Sequence, residues 1–216
     1  MPNNKSSLEK MKDSGVVGVI RTKSSKRLIK VAEAIKEGGV HCIEVAMTTP
    51  DALSVIEEVS NQLDDVLIGA GTVLDAETAR SAILAGAEYL VSPTTDLEMI
   101  KLCNRYDKVV APGAFTPTEI MEAWEAGADI VKVFPASRLG PKFISDVKSP
   151  LPQVSLMPTG GVSKDNASEF ISAGAEVLCV GSALLDREAM ANEDYSVLTG
   201  NARELIEAVK RGRKKE

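Results

Sequence analysis

The stretch Ala126-Gly127-Ala128-Asp129-Ile130-Val131-Lys132-Val133-Phe134 places a glycine directly before a short apolar strand. The same phrase recurs around Gly38, Gly86 and Gly174, so that the four copies follow one another at intervals of 41 to 48 residues. Glycine is favoured where a helix ends in a left-handed residue, because it has no Cβ. Each copy therefore predicts a helix that ends near its glycine and a buried strand that follows.

Four further apolar runs lie between these copies, which brings the number of predicted strands to eight. The predicted strands are at residues 16–20, 42–46, 66–70, 89–92, 108–111, 130–134, 154–157 and 177–181. Apolar residues at helical spacing predict helices at residues 24–36, 50–62, 75–84, 96–105, 116–125 and 164–172. Prolines at positions 141, 150 and 152 leave only a short turn around 143–147 after the sixth strand.

This alternation of strands and helices predicts an α/β fold with a parallel sheet. Parallel strands are buried on both faces, which agrees with the continuous apolar runs. We predict a single (β/α)8 TIM barrel over residues 1–216, because barrels of about 200–250 residues commonly form one domain. Residues 1–14 are expected to form a short leading helix and residues 15–185 the barrel core. Residues 186–216 are expected to form a C-terminal helical segment, with a closing helix around 205–209 and a basic tail.

An open, doubly wound sheet is the main alternative. Its dinucleotide-binding fingerprint is Gly-x-Gly-x-x-Gly at the start of a helix. The stretch Gly69-Ala70-Gly71-Thr72-Val73-Leu74 begins in this way but ends in leucine. No residues remain for a second domain, so the closed barrel is favoured.

Composition excludes several classes of function. The net charge of -6 argues against a general nucleic-acid-binding surface, and no apolar run approaches the roughly 18 residues that span a membrane. The chain starts without the apolar segment of a signal peptide. Three widely spaced cysteines favour a reducing, cytoplasmic setting. The single histidine, His41, is expected at a loop or strand edge, so a metal site or a Ser-His-Asp triad is not predicted.

Active sites of such barrels form at the C-terminal ends of the strands. The polar residues predicted there are Arg21, Glu44, Thr72, Lys132, Thr159 and Ser182. Lys132 and Glu44 differ from the others because they interrupt apolar strands. Alternation along a strand places Lys132 on the same face as Ile130 and Phe134, and Glu44 on the same face as Cys42 and Ala46, and these faces are expected to point into the barrel. Burial of two such charges costs several kcal/mol per ion unless they are paired, so one interpretation is a structural Glu44–Lys132 ion pair.

The other interpretation is catalytic. Burial disfavours the charged form of an amine, and a neutral lysine amine can form a Schiff base with a ketone. A nearby carboxylate such as Glu44 can then move protons on and off the substrate. This chemistry requires neither a histidine nor a metal ion, and no cofactor is expected.

Two glycine-containing turns predict a phosphate site. Pro158-Thr159-Gly160-Gly161-Val162-Ser163 follows the seventh strand, and Gly181-Ser182-Ala183 follows the eighth. The loops after these two strands commonly bind phosphate in this fold, although two ordinary tight turns would give the same pattern. Thr72 could hold a carboxylate or cap a helix, and Arg21 could bind an anion or form a salt bridge at the rim.

These motifs together resemble the bifunctional 2-dehydro-3-deoxy-phosphogluconate aldolase / 4-hydroxy-2-oxoglutarate aldolase family. The resemblance is carried by Gly18-Val19-Ile20-Arg21, Ile43-Glu44-Val45, Gly69-Ala70-Gly71-Thr72-Val73, Pro112-Gly113, Thr116-Pro117-Thr118-Glu119, Lys132-Val133-Phe134-Pro135 and Pro158-Thr159-Gly160-Gly161-Val162. It implies a class I aldolase that cleaves 2-keto-3-deoxy-6-phosphogluconate (KDPG) into pyruvate and glyceraldehyde 3-phosphate. Cleavage of 4-hydroxy-2-oxoglutarate (KHG) to pyruvate and glyoxylate is a second expected activity.

The resemblance also implies roles for individual residues. Lys132 is the expected Schiff-base lysine, and Glu44 the group that transfers protons. The expected substrate-binding residues are Arg21, Thr48, Gly71, Thr72, Pro93, Phe134 and Thr159. The expected phosphate-binding residues are Gly160, Gly161, Gly181 and Ser182. Such enzymes are typically cytoplasmic homotrimers of the Entner–Doudoroff pathway or of sugar-acid breakdown.

One position departs from part of the family. Some members have an arginine where this chain has Thr48, in Glu44-Val45-Ala46-Met47-Thr48-Thr49. The departure concerns substrate affinity and selectivity, and Arg21 is the residue expected to supply the missing positive charge. A galactonate-derived epimer of KDPG as substrate, and a non-catalytic barrel that binds phosphorylated sugar acids, are the alternatives.

Overall fold

Strands and helices alternate along the chain in the computed structural model, which describes residues 4–21, 25–63 and 65–214. The helices are α1 (Asn4–Ser14), α2 (Ser25–Glu37), α3 (Ala52–Ser60), α4 (Ala76–Leu84), α5 (Leu97–Arg105), α6 (Pro117–Glu125), α7 (Gly140–Lys148), α8 (Ala167–Ser172), α9 (Arg187–Asn192) and α10 (Tyr195–Arg213), with a 3₁₀ turn at Ala136–Arg138. The strands are β1 (Val16–Ile20), β2 (Cys42–Ala46), β3 (Leu67–Gly71), β4 (Tyr89–Val91), β5 (Val109–Ala111), β6 (Gly113–Ala114), β7 (Val131–Val133), β8 (Leu156–Pro158) and β9 (Leu178–Val180).

The strands form two parallel sheets, with the orders β5-β4-β3-β2-β1-β9 and β6-β7-β8. The predicted α/β fold is confirmed in the form of a curled parallel sheet. An isolated bridge between Thr159 and Cys179 joins β8 to β9. The opposite edges of the two sheets are β5 and β6. The short strand β6, which was not predicted, follows β5 after Pro112. Proline has no N–H to donate to a neighbouring strand, so the ladder is interrupted there.

Successive side chains of each strand point to opposite faces of the sheet, so the buried apolar side chains form two clusters. The inner cluster contains side chains such as Cys42, Tyr89 and Cys179, which lie inside the curl of the sheets. The outer cluster contains their strand neighbours, such as Ile43 and Leu90, which pack against the helices. Successive strand residues point to opposite faces, so the parity predicted for Glu44 and Lys132 places both side chains on the inner face.

Two helical regions differ from the prediction. The turn expected around 143–147 is a nine-residue helix, α7, with Pro141 in its first turn. Proline is tolerated there because N–H groups of the first turn have no partner within the helix. The closing helix extends over Tyr195–Arg213 and includes most of the predicted basic tail.

The end of α10 is fixed by contacts rather than left in solvent. Arg213 donates a hydrogen bond to the carbonyl oxygen of Asp13 at 3.0 Å. A Cβ on Gly212 would lie 2.6 Å from the Cβ of Ile171, which shows how closely α10 approaches α8. The predicted helix at 164–172 begins at Ala167. Residues 1–3, Ser24 and residues 215–216 of the predicted elements lie outside the described residues.

No helix in residues 4–21, 25–63 and 65–214 combines the length and apolar character needed to cross a membrane.

Tyr89 is a fully buried residue of the inner cluster. Its ring covers Gly69, where an added Cβ would lie 2.4 Å from ring atoms. The hydroxyl has no hydrogen-bond partner among the described residues. A buried polar group without a partner costs about 1–3 kcal/mol, so this hydroxyl reduces the stability of the fold.

We predict that Tyr89→Phe raises the free energy of unfolding by about 1 kcal/mol, because it removes the hydroxyl and keeps the ring. Urea unfolding followed by circular dichroism measures the change. Tyr106→Phe is the matched control, because the Tyr106 hydroxyl is accessible and accepts a hydrogen bond from Arg80 Nε at 2.9 Å. A loss of stability in Tyr89→Phe would contradict the prediction.

Candidate active site

The C-terminal ends of the strands surround a cavity of about 510 Å³. Its lining consists of Val19, Arg21, Glu44, Thr48, Thr72, Pro93, Lys132, Phe134, Thr159, Gly160, Gly161, Val162, Cys179, Gly181 and Ser182. Every predicted site residue except Gly71 is in this set. The structure therefore brings together residues from most of the length of the chain, in the place where the fold predicts a site.

Lys132 lies in the middle of β7 and is 5% exposed. Its Nζ atom lies 5.0 Å from the centroid of the Phe134 ring. A ring face attracts a cation, and a ring beside an amine also excludes water from one side of it. The backbone N–H of Lys132 donates to the carbonyl oxygen of Pro112 at 2.8 Å, which fixes the strand that carries the amine.

Glu44 lies in β2 and is 2% exposed. Its carboxylate occupies the space above Gly71, because a Cβ at position 71 would lie only 1.7 Å from Oε1. Gly71 does not line the cavity, but its lack of a side chain leaves space for the Glu44 carboxylate, which does. Its predicted place in the site is therefore explained by the position of Glu44.

The pKa of the Glu44 carboxyl is raised above its ordinary value, mainly because burial disfavours the charged form. Three groups act in the opposite direction and lower this pKa in part: the charge of Lys132, a hydrogen bond from Cys179, and the charge of Arg21. The raised pKa favours the protonated carboxyl, so that Glu44 can donate a proton as well as accept one, as proton transfer requires.

Glu44 and Lys132 do not form an ion pair. No contact at ion-pair distance joins the two side chains, although both belong to the described residues and line one cavity. The structural interpretation of the two charges is therefore wrong for this conformation. Both side chains instead line the same cavity, so a small molecule bound there can meet the amine and the carboxyl.

The loop after β8 has the backbone needed for an anion site. Gly160 and Gly161 have φ values of 86° and 78°, which side chains rarely adopt. A Cβ at Gly161 would also lie 2.5 Å from the Cβ of Ser137. Asn166 holds the loop by donating to the carbonyl oxygen of Gly161 at 2.9 Å and accepting from the Ser163 N–H at 2.8 Å.

Thr72 also has a left-handed backbone, with φ 59°. A non-glycine residue in this region stores about 1 kcal/mol or more and often marks a functional turn. The alternative role as a helix cap is wrong, because Asp75 caps α4 by accepting from the Thr78 N–H at 2.6 Å. Thr72 is therefore free to face the cavity.

Three residues of the lining were not predicted from the sequence: Val19, Val162 and Cys179. The Cys179 thiol donates a hydrogen bond to Glu44 Oε2 at 3.5 Å. Burial raises the pKa of this thiol far above its usual range, so that it stays a donor. Cys179 lies two residues before Gly181, within the predicted strand 177–181. Alternate residues of a strand share a face, so the sequence could have identified Cys179 as a residue on the face of the site.

His41 is exposed at the edge of β2 and lies outside the cavity, as predicted. Among the described residues, no group of three or more histidine, cysteine and acidic side chains is arranged to hold a metal ion.

A buried lysine amine and a carboxyl in one cavity are the groups that an imine-forming carbon–carbon lyase, an aldolase, requires. The family model described as "KDPG and KHG aldolase" matches residues 8–200. The chain therefore belongs to the KDPG and KHG aldolase family.

Individual comparisons agree with this assignment. The chain is 32% identical over 195 residues to the 2-dehydro-3-deoxy-phosphogluconate aldolase of Treponema pallidum, with 90% of this chain and 93% of the relative covered. It is 32% identical over 213 residues to the KHG/KDPG aldolase of Escherichia coli, with 97% and 100% covered. The KDPG aldolase of Legionella pneumophila, solved with pyruvate as a covalent carbinolamine, has a TM-score of 0.85 at 28% identity, with 94% and 98% covered.

We predict that Cys179→Ala moves the acid limb of the pH–kcat profile for aldol cleavage to higher pH. The thiol favours the carboxylate form of Glu44, so its removal raises the Glu44 pKa further. Initial rates between about pH 5 and 8 measure the shift. Cys103→Ala is the control, because Cys103 is equally buried but lies on α5, outside the cavity. An unchanged acid limb in Cys179→Ala would show that the thiol does not tune Glu44.

Proposed function

We propose that the chain cleaves KDPG into pyruvate and glyceraldehyde 3-phosphate through a Schiff base on Lys132. The observation that carries this proposal is a buried lysine amine and a buried carboxyl that line one cavity, together with a glycine loop suited to phosphate. The family supports the same activity, since relatives named for KDPG cleavage match nearly the whole chain.

The first step forms the covalent intermediate. The lone pair of the Lys132 amine attacks the C2 carbonyl carbon, and the carbonyl oxygen takes up the amine proton to give a carbinolamine. This hydroxyl leaves as water with one proton from Glu44, which becomes a carboxylate. The product is a positively charged imine, which withdraws electrons from C3.

The second step breaks the carbon–carbon bond. The Glu44 carboxylate accepts the proton of the C4 hydroxyl, the C3–C4 bond breaks, and its electron pair moves toward the imine to give an enamine. Glyceraldehyde 3-phosphate leaves as the aldehyde. Glu44 then returns the proton to C3. Water hydrolyses the imine to release pyruvate and the free amine, and the proton set free in this step returns to the Glu44 carboxylate.

The rest of the cavity holds the two charged ends of the substrate. Thr72, after Gly71, is proposed to bind the carboxylate near Lys132. The phosphate is proposed to bind at Gly160, Gly161, Gly181 and Ser182. Arg21, Thr48, Pro93, Phe134 and Thr159 are proposed to contact the carbon chain and its oxygens, since they line the space between these ends.

KHG is proposed as a second substrate, because the Escherichia coli relative is named for both activities. Its cleavage gives pyruvate and glyoxylate by the same steps. No feature of the site favours the galactonate-derived epimer over KDPG. A purely binding role would leave the buried Lys132 and Glu44 unexplained.

We also infer that the two curled sheets close into one eight-stranded TIM barrel and that residues 1–216 form one domain. The Thr159–Cys179 bridge supports closure on one side. The hydrogen bonds from Lys132 N–H to Pro112 and from Asp129 N–H to Val110, of 2.8 and 3.2 Å, support it on the other. With β5 and β6 counted as one interrupted strand, the barrel has the predicted number of strands.

The proposed assembly is a homotrimer in the cytoplasm, in the Entner–Doudoroff pathway or another route of sugar-acid breakdown. Phe115 and Trp124 support an interface around α6, because these large apolar side chains are 41% and 39% exposed in the single chain. Three free, buried cysteines suit a reducing compartment.

Borohydride trapping tests the Schiff base. Protein treated with pyruvate and sodium borohydride is expected to gain the mass of one reduced pyruvyl group, and peptide mapping is expected to locate it on Lys132. Lys132→Ala is expected to lose the adduct and to lower kcat by about 10³-fold or more. Lys101→Ala, which removes an exposed lysine of α5, is the control. A Lys132→Ala variant with full cleavage activity would refute the mechanism.

Light scattering with size-exclusion chromatography tests the homotrimer. The expected mass is three times the 23.0 kDa of the chain. Trp124→Asp is expected to dissociate the assembly, because it places a charge in the proposed apolar interface. Leu84→Asp changes a more exposed apolar residue of α4 and serves as the control. A wild-type mass of one chain would contradict the proposal.

A further inference from the structure

A second cavity, of about 350 Å³, lies beside the active site. Its lining consists of Val19, Arg21, Arg27, Gly181, Ser182, Leu185, Arg187, Met190 and Ala191. Four of these residues, Val19, Arg21, Gly181 and Ser182, also line the active-site cavity. The second cavity, which we call the arginine cavity, is therefore continuous with the proposed phosphate site at Ser182.

The arginine cavity is lined by positive charges, although the net charge of the protein is negative. Its described lining residues include three arginines and no aspartate or glutamate, whereas the chain as a whole has a net charge of -6. Glu193 lies nearby and pairs with Arg27 at 3.6 Å. Guanidinium groups held close together repel one another, so a site of this kind favours a bound anion.

Arg27 and Arg187 line the arginine cavity alone, and Arg27 is paired with Glu193, so Arg187 is the second arginine assigned to a ligand. It begins α9, which Asp186 caps through the N–H of Ala189 at 2.8 Å. In the part of the chain that the structure describes, no hydrogen bond or ion pair engages the Arg187 guanidinium. The backbone of this arginine is thus anchored, while its donor groups remain available at the cavity.

The proposed phosphate site needs such a cation. Gly160 and Gly161 offer backbone N–H groups and Ser182 offers a hydroxyl, all of them neutral, and Arg21, which lines both cavities, supplies a single positive charge. The phosphate of KDPG carries close to two negative charges at neutral pH. Arginine donates two parallel hydrogen bonds to phosphate oxygens, which makes it well suited to a dianion.

We propose that the arginine cavity receives the phosphate of the substrate from the side opposite the glycine loop, with Arg187 as a specificity-determining residue. This inference rests on the proposed function and refines it. The distal group of KHG is a carboxylate with one negative charge, so it gains less from the same arginines. The structure thus assigns the chain a preference for phosphorylated keto acids over KHG.

Steady-state kinetics of Arg187→Gln on both substrates tests this assignment. For KDPG, we expect kcat/KM to fall about tenfold or more, mainly through KM, because a charge-assisted contact is lost. For KHG, we expect a change of less than about twofold. Arg187→Lys keeps the charge but not the fork, so it is expected to recover part of the activity on KDPG.

Two controls separate specificity from stability. Arg105→Gln removes an arginine of α5 outside both cavities and is expected to leave both substrates unaffected. The rate of deuterium exchange into the methyl group of pyruvate, which has no phosphate, is expected to be the same in Arg187→Gln and wild type. Equal losses on KDPG and KHG, or no loss on KDPG, would overturn the proposal.

Calorimetric titration with inorganic phosphate tests the cavity without relying on catalysis. Wild-type protein is expected to bind phosphate, and Arg187→Gln is expected to bind it about tenfold more weakly or not at all. Equal phosphate binding by the two proteins would overturn the role of Arg187 even if the chain cleaves KDPG. Loss of borohydride trapping by pyruvate would instead count against the proposed function alone.

Discussion

The burial of two ionisable side chains in the inner face of a parallel sheet is the constraint on which the rest of this structure depends. Lys132 and Glu44 are 5% and 2% exposed, and removal of such groups from water costs several kcal/mol each. The two side chains do not offset this cost by pairing with each other. The carboxyl is instead shifted toward its neutral form, and the surrounding fold must supply the remaining stability.

That stability comes from apolar packing, which differs between the two faces of each strand. The outer faces pack against the helices in the larger apolar cluster, which includes residues from almost every helix. The inner faces form a smaller cluster below the site. Above this cluster the inner positions become polar or lack side chains, as at Glu44 and Gly71. The reactive groups are thus confined to the C-terminal ends of the strands, where polar residues displace the least apolar packing.

Much of this arrangement could be predicted from the sequence because it depends on local periodicity. Glycine before an apolar run predicted the strands, and parity within a strand placed Lys132 and Glu44 on the inner face. The features that could not be predicted depend on distant partners. The Cys179 thiol meets Glu44 across 135 residues of chain, and α7 forms despite nearby prolines because its apolar side packs on the core. The arginine cavity combines α2, α9 and two strand ends, which no local pattern connects.

The space above Gly71 restricts which residues this position can accept. Any side chain at that position would occupy the volume of the Glu44 carboxylate, while the lysine on β7 would remain in place. A single added methyl group would therefore displace the carboxyl that supplies the proton for loss of water, and the reaction would stop at the carbinolamine. The protein would then bind a keto acid reversibly without cleaving it. The absence of a side chain at Gly71 thus decides whether the keto acid is a substrate or only a ligand.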